Sequence, residues 1–133
     1  MASKKRIALI STGGTIQKTY DELQGVLDNR TSVLDVMLAS LQLQGIEIVR
    51  IPLMNKDSLQ MTPQDHDLIA RTAGSMAEAH DGVVIVHGTD RLAVSGERIV
   101  TLLGKVQVPI VLTGAMRPYV MRNTDALQNL TEA

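Results

Sequence analysis

Thr12-Gly13-Gly14-Thr15 stands one serine, Ser11, beyond the aliphatic run Ile7-Ala8-Leu9-Ile10, and its residue types suit chemistry. Glycines let the backbone approach a ligand with φ values that other residues avoid. The threonines bring two hydroxyls to the same spot, and either could be a nucleophile once a base or hydrogen-bond relay takes its proton. Three more aliphatic runs end in the same way. Asn55, Asp57 and Ser58 follow the second, His87-Gly88-Thr89-Asp90 the third, and Thr113-Gly114-Ala115-Met116 the fourth. Hydroxyls, backbone donors and one or two carboxylates together suit recognition of a small polar molecule.

Other readings of these residues are weaker. The Thr-Gly-Gly-Thr turn could cradle a phosphate at a helix start. It lacks the Gly-x-Gly-x-x-Gly spacing, and no Lys-Ser/Thr follows it. A Ser58–His87–Asp90 triad is conceivable, but nothing resembles a nucleophile elbow. His87 could be a base, although a histidine closing a buried strand is more often a structural hydrogen-bonder. His66 and His80 fall on helical patterns as surface or packing residues, and the three histidines show no metal-ligand spacing. Asp57 reads most simply as a cap on its turn. No metal and no other cofactor is expected.

Bringing these turns together requires strands that all end at one edge. The aliphatic runs predict strands near Ile7–Ser11, Ile46–Pro52, Val83–His87 and Ile110–Thr113, each short and rich in Val and Ile. Thr31-Ser32 predicts a helix to about Leu43, with Leu34, Met37, Leu38 and Leu41 on one stripe and Gly45 past its end. Thr62-Pro63-Gln64-Asp65 predicts a second start, with proline at the first helical position. That helix should carry Leu68, Ile69, Thr72, Met76 and Ala79 to about His80. A third helix should cover Leu92–Leu103 before Gly104, and a fourth should begin near Thr124.

The alternation predicts an α/β fold: one domain over residues 1–133, a three-layer Rossmann-like parallel sheet with helices on both faces, cut after the fourth strand–helix unit. In such folds ligands bind outside the carboxyl ends of the strands. Gln17–Arg30 is polar with little periodicity, and is expected to be a lid or a plain connector.

Composition narrows the function. The chain has 133 residues, 44% of them hydrophobic, but only two Tyr and no Phe or Trp. Stacking on nucleic-acid bases is therefore disfavoured. A formal net charge of -1 argues against a basic nucleic-acid or membrane surface. The absence of cysteine excludes disulfides, thiolate-held metals and thiol catalysis. The apolar run after the basic start is too short for a signal core or membrane span. A soluble, cytoplasmic protein is expected, with no nucleic-acid or membrane partner.

In order and spacing, four motifs resemble the bacterial-type L-asparaginase/glutaminase family. They are Thr12-Gly13-Gly14-Thr15-Ile16, Lys56-Asp57-Ser58-Leu59-Gln60-Met61-Thr62, His87-Gly88-Thr89-Asp90 and Thr113-Gly114-Ala115-Met116-Arg117-Pro118. Family enzymes are usually longer, with a large amino-terminal and a small carboxyl-terminal domain, and this chain resembles most of the first. Lys56–Thr62 is most similar to a short branch of the family.

The resemblance implies roles. Thr15 matches the nucleophile, Tyr20 the tyrosine that assists it, and Thr89 the second catalytic threonine. Asp90 matches the acid that binds the α-amino group, and Ser58 a grip on the α-carboxylate. Leu59 stands where many members have a polar substrate contact. Backbone groups around Gly14, Thr89 and Ala115 would bind the side-chain amide and the oxyanion. The implied activity is hydrolysis of L-asparagine to L-aspartate and ammonia by a homo-oligomer, dimer or tetramer. The chemistry is coherent, since attack on a carboxamide builds an oxyanion that preorganised N–H donors stabilise.

Two departures favour a second reading. The family's catalytic lysine lies past Gly114-Ala115-Met116-Arg117-Pro118 and has no counterpart here. Arg91-Leu92-Ala93-Val94-Ser95 stands where the family has an acid-bearing Thr-Met-x-Glu-Thr. The alternative is a catalytically impaired asparagine- or aspartate-binding domain, or a truncated remnant. A nucleotide-binding domain is a third, weakened by the missing phosphate fingerprints.

Overall fold

The aliphatic runs form one sheet. The structure, a computed structural model, describes residues 4–14, 19–21, 26–28, 37–39, 44–116 and 124–133. Among these, the strands are β1 (Lys5–Ser11), β2 (Thr19–Asp21), β3 (Val26–Asp28), β4 (Ile46–Pro52), β5 (Gly82–Val86) and β6 (Ile110–Thr113). The helices are α1 (Pro63–Ala79), α2 (Leu92–Leu103) and α3 (Ala126–Glu132). Met37–Ala39 are also helical, and the rest of the helix expected over Thr31–Leu43 lies outside the described residues.

The main sheet has the order β4-β1-β5-β6, and every pairing in it is parallel. Its side chains alternate between two cores, as a pleated strand demands. Ala8, Ile10, Val83 and Ile85 pack with Ile69, Ala70 and Ala73 of α1 and Ile99 of α2. Leu9 and Val86 pack on the other side with Met37, Ala126 and Leu130. Helices therefore cover both faces, and the three-layer arrangement follows from burying a sheet that is apolar on each side.

α1 starts where its sequence signals place it. Thr62 Oγ1 accepts a hydrogen bond from the Asp65 N–H at 3.2 Å, and Asp65 Oδ2 accepts from the Thr62 N–H at 2.9 Å. This reciprocal cap, with Pro63 next, satisfies donors that a helix start leaves open. Lys56 Nζ adds a bond of 2.8 Å to the same carboxylate oxygen, tying the turn after β4 to the helix. The Lys56 bond, then the Thr62 N–H, hold the Asp65 carboxyl below its ordinary pKa.

The buried face of α1 differs from the expected stripe. His66, Ile69, Ala70 and Ala73 are buried, whereas Leu68 is 46% exposed and Ala79 is exposed. Close packing of α2 explains the rotation: a side chain on Gly74 would lie 2.6 Å from Leu103 Cδ2, so small residues face that helix. α2 spans its expected range and ends at Gly104, whose φ is 62°. The polar stretch Gln17–Arg30 holds two of the short strands. β2 and β3 within it pair antiparallel, Tyr20 opposite Leu27, so it contains a small hairpin. Among the described residues, no helix is long and apolar enough to cross a membrane.

The rotated stripe yields a test. Ile69→Ala should lower unfolding free energy by about 2–5 kcal/mol, the usual cost of truncating a buried aliphatic chain. Leu68→Ala should cost less than about 1 kcal/mol, as surface changes do. Urea midpoints of both variants decide it, and equal losses would contradict the assigned face.

Candidate functional site

The four strand-end turns are packed backbone against backbone. Gly13 and Gly14 have φ of 105° and 91°, in the region that favours glycine. A Cβ on Gly14 would lie 2.6 Å from Gly88 N, and one on Gly13 2.7 Å from Lys56 N. The β1 turn is thus wedged between the β4 and β5 turns. Gly88 in turn lies against Ser58, where a Cβ would come within 2.9 Å of Oγ, and Gly114 lies against the His87 carbonyl oxygen. Hydrogen bonds follow the same contacts. Lys56 N–H donates to Thr12 O at 2.9 Å, Thr12 N–H to Val86 O at 3.0 Å, and His87 N–H to Thr113 O at 2.9 Å.

Between the turns lies a cavity of about 240 Å³. It falls below the roughly 300–1,000 Å³ of typical ligand pockets and suits a small polar molecule. Gly14, Ser58, Leu59, Thr89 and Asp90, all expected in the site, line it. It sits where β1 neighbours β5, the point at which chain order reverses after the excursion to β4. Such switch points are where open α/β sheets bind ligands.

The individual residues differ in what they offer. Ser58 is 2% exposed, and its Oγ accepts the Arg91 N–H at 3.1 Å. That leaves the hydroxyl proton for another acceptor. Thr89 and Asp90 are exposed, and Thr89 Oγ1 lies 3.5 Å from Met116 Sδ. Asp57, read as a turn cap, makes no side-chain cap bond to the short Ser58–Gln60 turn and lines the cavity instead. Two carboxylates therefore border it. Ala115 buries its methyl beside Leu9, Val86 and Ala126, so only its backbone is available to a ligand.

Of the two candidate nucleophiles, Thr12 has a structural role. It is 0% exposed, and its hydroxyl donates to Val86 O at 2.7 Å. Thr15 lies outside the described residues, and Tyr20 falls in β2. The Ser58–His87–Asp90 triad is not formed. His87 is fully buried behind the turn, with Nδ1 2.7 Å from Gly88 O and Nε2 2.8 Å from Ser95 Oγ. His66 joins it, with Nδ1 2.6 Å from the same Ser95 oxygen and a ring stacked on that of His87 at 6.2 Å. Burial pushes the pKa of His87 down; burial and then Arg91 push that of His66 down. Among the described residues no three His, Cys, Asp or Glu side chains could hold a metal ion.

Sequence reasoning missed the supports of the fourth turn. Asn129 Nδ2 donates to Gly114 O at 2.8 Å, and Met116 N–H donates to Asp125 Oδ2 at 3.1 Å. The signal was present as a polar pair four residues apart, facing the turn before their helix. A larger depression of about 470 Å³ lies between the carboxyl-terminal halves of α1 and α2, bordered by Arg71, Glu78 and Lys105. It gathers none of the strand-end turns.

The fold is α/β, with a small polar cavity at the switch point of its parallel sheet. The chain belongs to the asparaginase family: the family model "Asparaginase, N-terminal" matches residues 6–133. It is 32% identical over 130 residues to an L-asparaginase of Thermococcus kodakarensis, covering 96% of this chain and 39% of that protein. It is 33% identical over 133 residues to a glutamyl-tRNA(Gln) amidotransferase component of Methanobrevibacter smithii, covering 98% of this chain and 30% of that protein. The solved structure of the thermostable L-asparaginase from Thermococcus kodakarensis superposes with a TM-score of 0.84 at 30% identity, over 94% of this chain and 38% of that one. The chain thus spans well under half the length of these relatives.

Two outcomes test the site's construction. Gly14→Ala should cost about 2–4 kcal/mol in denaturant unfolding, combining left-handed strain with overpacking; a loss under about 0.5 kcal/mol would contradict the close approach to Gly88. The buried histidines set a pH dependence. Their folded pKa values lie below the ordinary 6.5, so the unfolded chain takes up protons first. Their contribution is complete above pH 6.5 and is lost as the pH falls below it toward the folded values. Urea midpoints should fall between about pH 7.5 and pH 5, and a flat profile would contradict neutral buried rings.

Proposed function

We propose that the strand-end cavity binds L-asparagine and hydrolyses its side-chain amide to L-aspartate and ammonia. The observation that supports this best is the meeting of Ser58 and Asp90 on one cavity with Gly14 and Thr89. An α-amino acid presents an ammonium and a carboxylate on one carbon. Asp90, with Asp57 nearby, supplies negative charge for the first, and Ser58 with neighbouring N–H groups faces the second. Leu59 borders the same space.

In this reading Thr15, bonded to the cavity-lining Gly14, is the nucleophile and Tyr20 assists it. The Thr15 oxygen bonds to the amide carbon, and the resulting oxyanion is held by N–H donors around Gly14, Thr89 and Ala115. The C–N bond breaks, the nitrogen takes the hydroxyl proton, and ammonia leaves. Water then adds to the acyl group, releasing aspartate and restoring the threonine. Thr89 serves as the second catalytic threonine. A homo-oligomer in the cytoplasm is part of the proposal, as is the single-domain organisation of residues 1–133.

A second reading is favoured by the amidotransferase relatives. The same amide cleavage could serve a larger complex, with ammonia release dependent on partner proteins. Because Arg91-Leu92-Ala93-Val94-Ser95 carries no acid, a domain that binds asparagine or aspartate without turnover is the remaining alternative.

Ammonia release with asparagine, glutamine and no substrate separates these readings. The first predicts release by the chain alone, and Thr15→Ala should reduce it by about 10^4-fold or more. Asp90→Asn should weaken aspartate binding by about 2–5 kcal/mol in calorimetry, since one partner of a charge pair is lost. Ser58→Ala should cost about 1–2 kcal/mol. Parental aspartate affinity in Asp90→Asn would remove the argument for an amino-acid substrate.

A further inference from the structure

Thr89 and Asp90 follow a glycine whose carbonyl is gripped from inside the protein. Gly88 O can only accept, so His87 Nδ1, 2.7 Å away, carries the proton. In a neutral ring Nε2 is then an acceptor, and the Ser95 hydroxyl donates to it at 2.8 Å. The Ser95 oxygen accepts in turn from His66 Nδ1–H at 2.6 Å. With both rings neutral, these partners assign one tautomer to each and align every donor toward Gly88. His66, Ser95 and His87 are all buried, and a satisfied polar chain in such a place is rigid, because each unmade bond is costly there.

We propose that His66 and Ser95 are positioning residues which, through His87, aim the Thr89 N–H into the cavity. The C=O and N–H of a trans peptide point in opposite directions, and no cis peptide bond occurs among the described residues. Holding the Gly88 carbonyl on the buried side therefore turns the Thr89 N–H toward the side on which Gly88 and Thr89 line the cavity. The other end of the segment is fixed independently by the Arg91 N–H on Ser58 Oγ at 3.1 Å. The pair Thr89–Asp90 is thus pinned before and after, and its donor and carboxylate are preorganised rather than recruited by the ligand. His66 is the far end of this chain, and it borders a separate surface depression with Arg91 and Arg98.

The role rests on the amino-acid cavity proposed above, and the test separates the two. The whole chain, labelled with nitrogen-15, is compared with Ser95→Ala, Ser95→Thr and His66→Leu. Thr89 amide resonance, aspartate affinity and melting temperature are read for each. Ser95→Ala and His66→Leu should both shift the Thr89 resonance and weaken aspartate binding by about 3–10-fold, the loss expected from one aligned hydrogen bond. Ser95→Thr keeps the hydroxyl and should stay within about twofold of the parent. An unmoved Thr89 resonance and affinity in both disrupted variants, whatever their melting temperatures, would overturn the proposal. If the parent binds no aspartate, the functional reading fails, and the Thr89 resonance alone still decides the positioning role. Should Ser95→Ala not fold, His66→Leu provides the same readout from the other end of the chain.

Discussion

At Gly14 the turn after β1 passes against the backbone of Gly88 with no room for a side chain. A Cβ at Gly14 would stand 2.6 Å from Gly88 N, closer than non-bonded atoms tolerate. Only two bare backbones can pass there, so the turns after β1 and β5 merge into one floor. Gly13 against Lys56 and Gly88 against Ser58 extend that floor to the turn after β4. Without these approaches the strand ends would be separate loops. With them, N–H groups, hydroxyls and carboxylates from three turns share a cavity of about 240 Å³.

Charge and burial are divided across that floor. On the cavity side stand Asp57 and Asp90, with Ser58 between the turns. On the buried side stand His66, Ser95 and His87, neutral and bonded in series. The Lys56–Asp65 pair and the Asp125–Asn129 braces then fix the turns to the helices behind them. A rigid scaffold carrying polar groups on short loops is how α/β proteins keep their sites precise.

Much of this was legible in the sequence for physical reasons. β4 and β6 and the helix Leu92–Leu103 occupy the spans expected of them, because aliphatic runs and terminal glycines are local signals. The Thr62-Pro63-Gln64-Asp65 start was likewise local. The face of α1 was not, because it depends on how closely Ala73 and Gly74 let α2 approach. The hairpin of Thr19–Asp21 and Val26–Asp28 escaped since three-residue strands carry no readable period. Thr12 and Thr15 look alike in sequence, and it is the burial of Thr12 and its bond to Val86 O that give the first a structural role. The link from His66 to Ser95 spans 29 residues and leaves no pattern at all.

The proposed function requires the merged strand-end turns to form the amino-acid site of this asparaginase-family chain. Titrating the nitrogen-15-labelled protein with L-aspartate, and following backbone amide shifts, tests it most directly. Saturable shifts are expected, concentrated at Gly14, Ser58, Gly88, Thr89 and Asp90. Shifts centred instead on the depression bordered by Arg71, Glu78 and Lys105, or no saturable shift at any of the five, would contradict it.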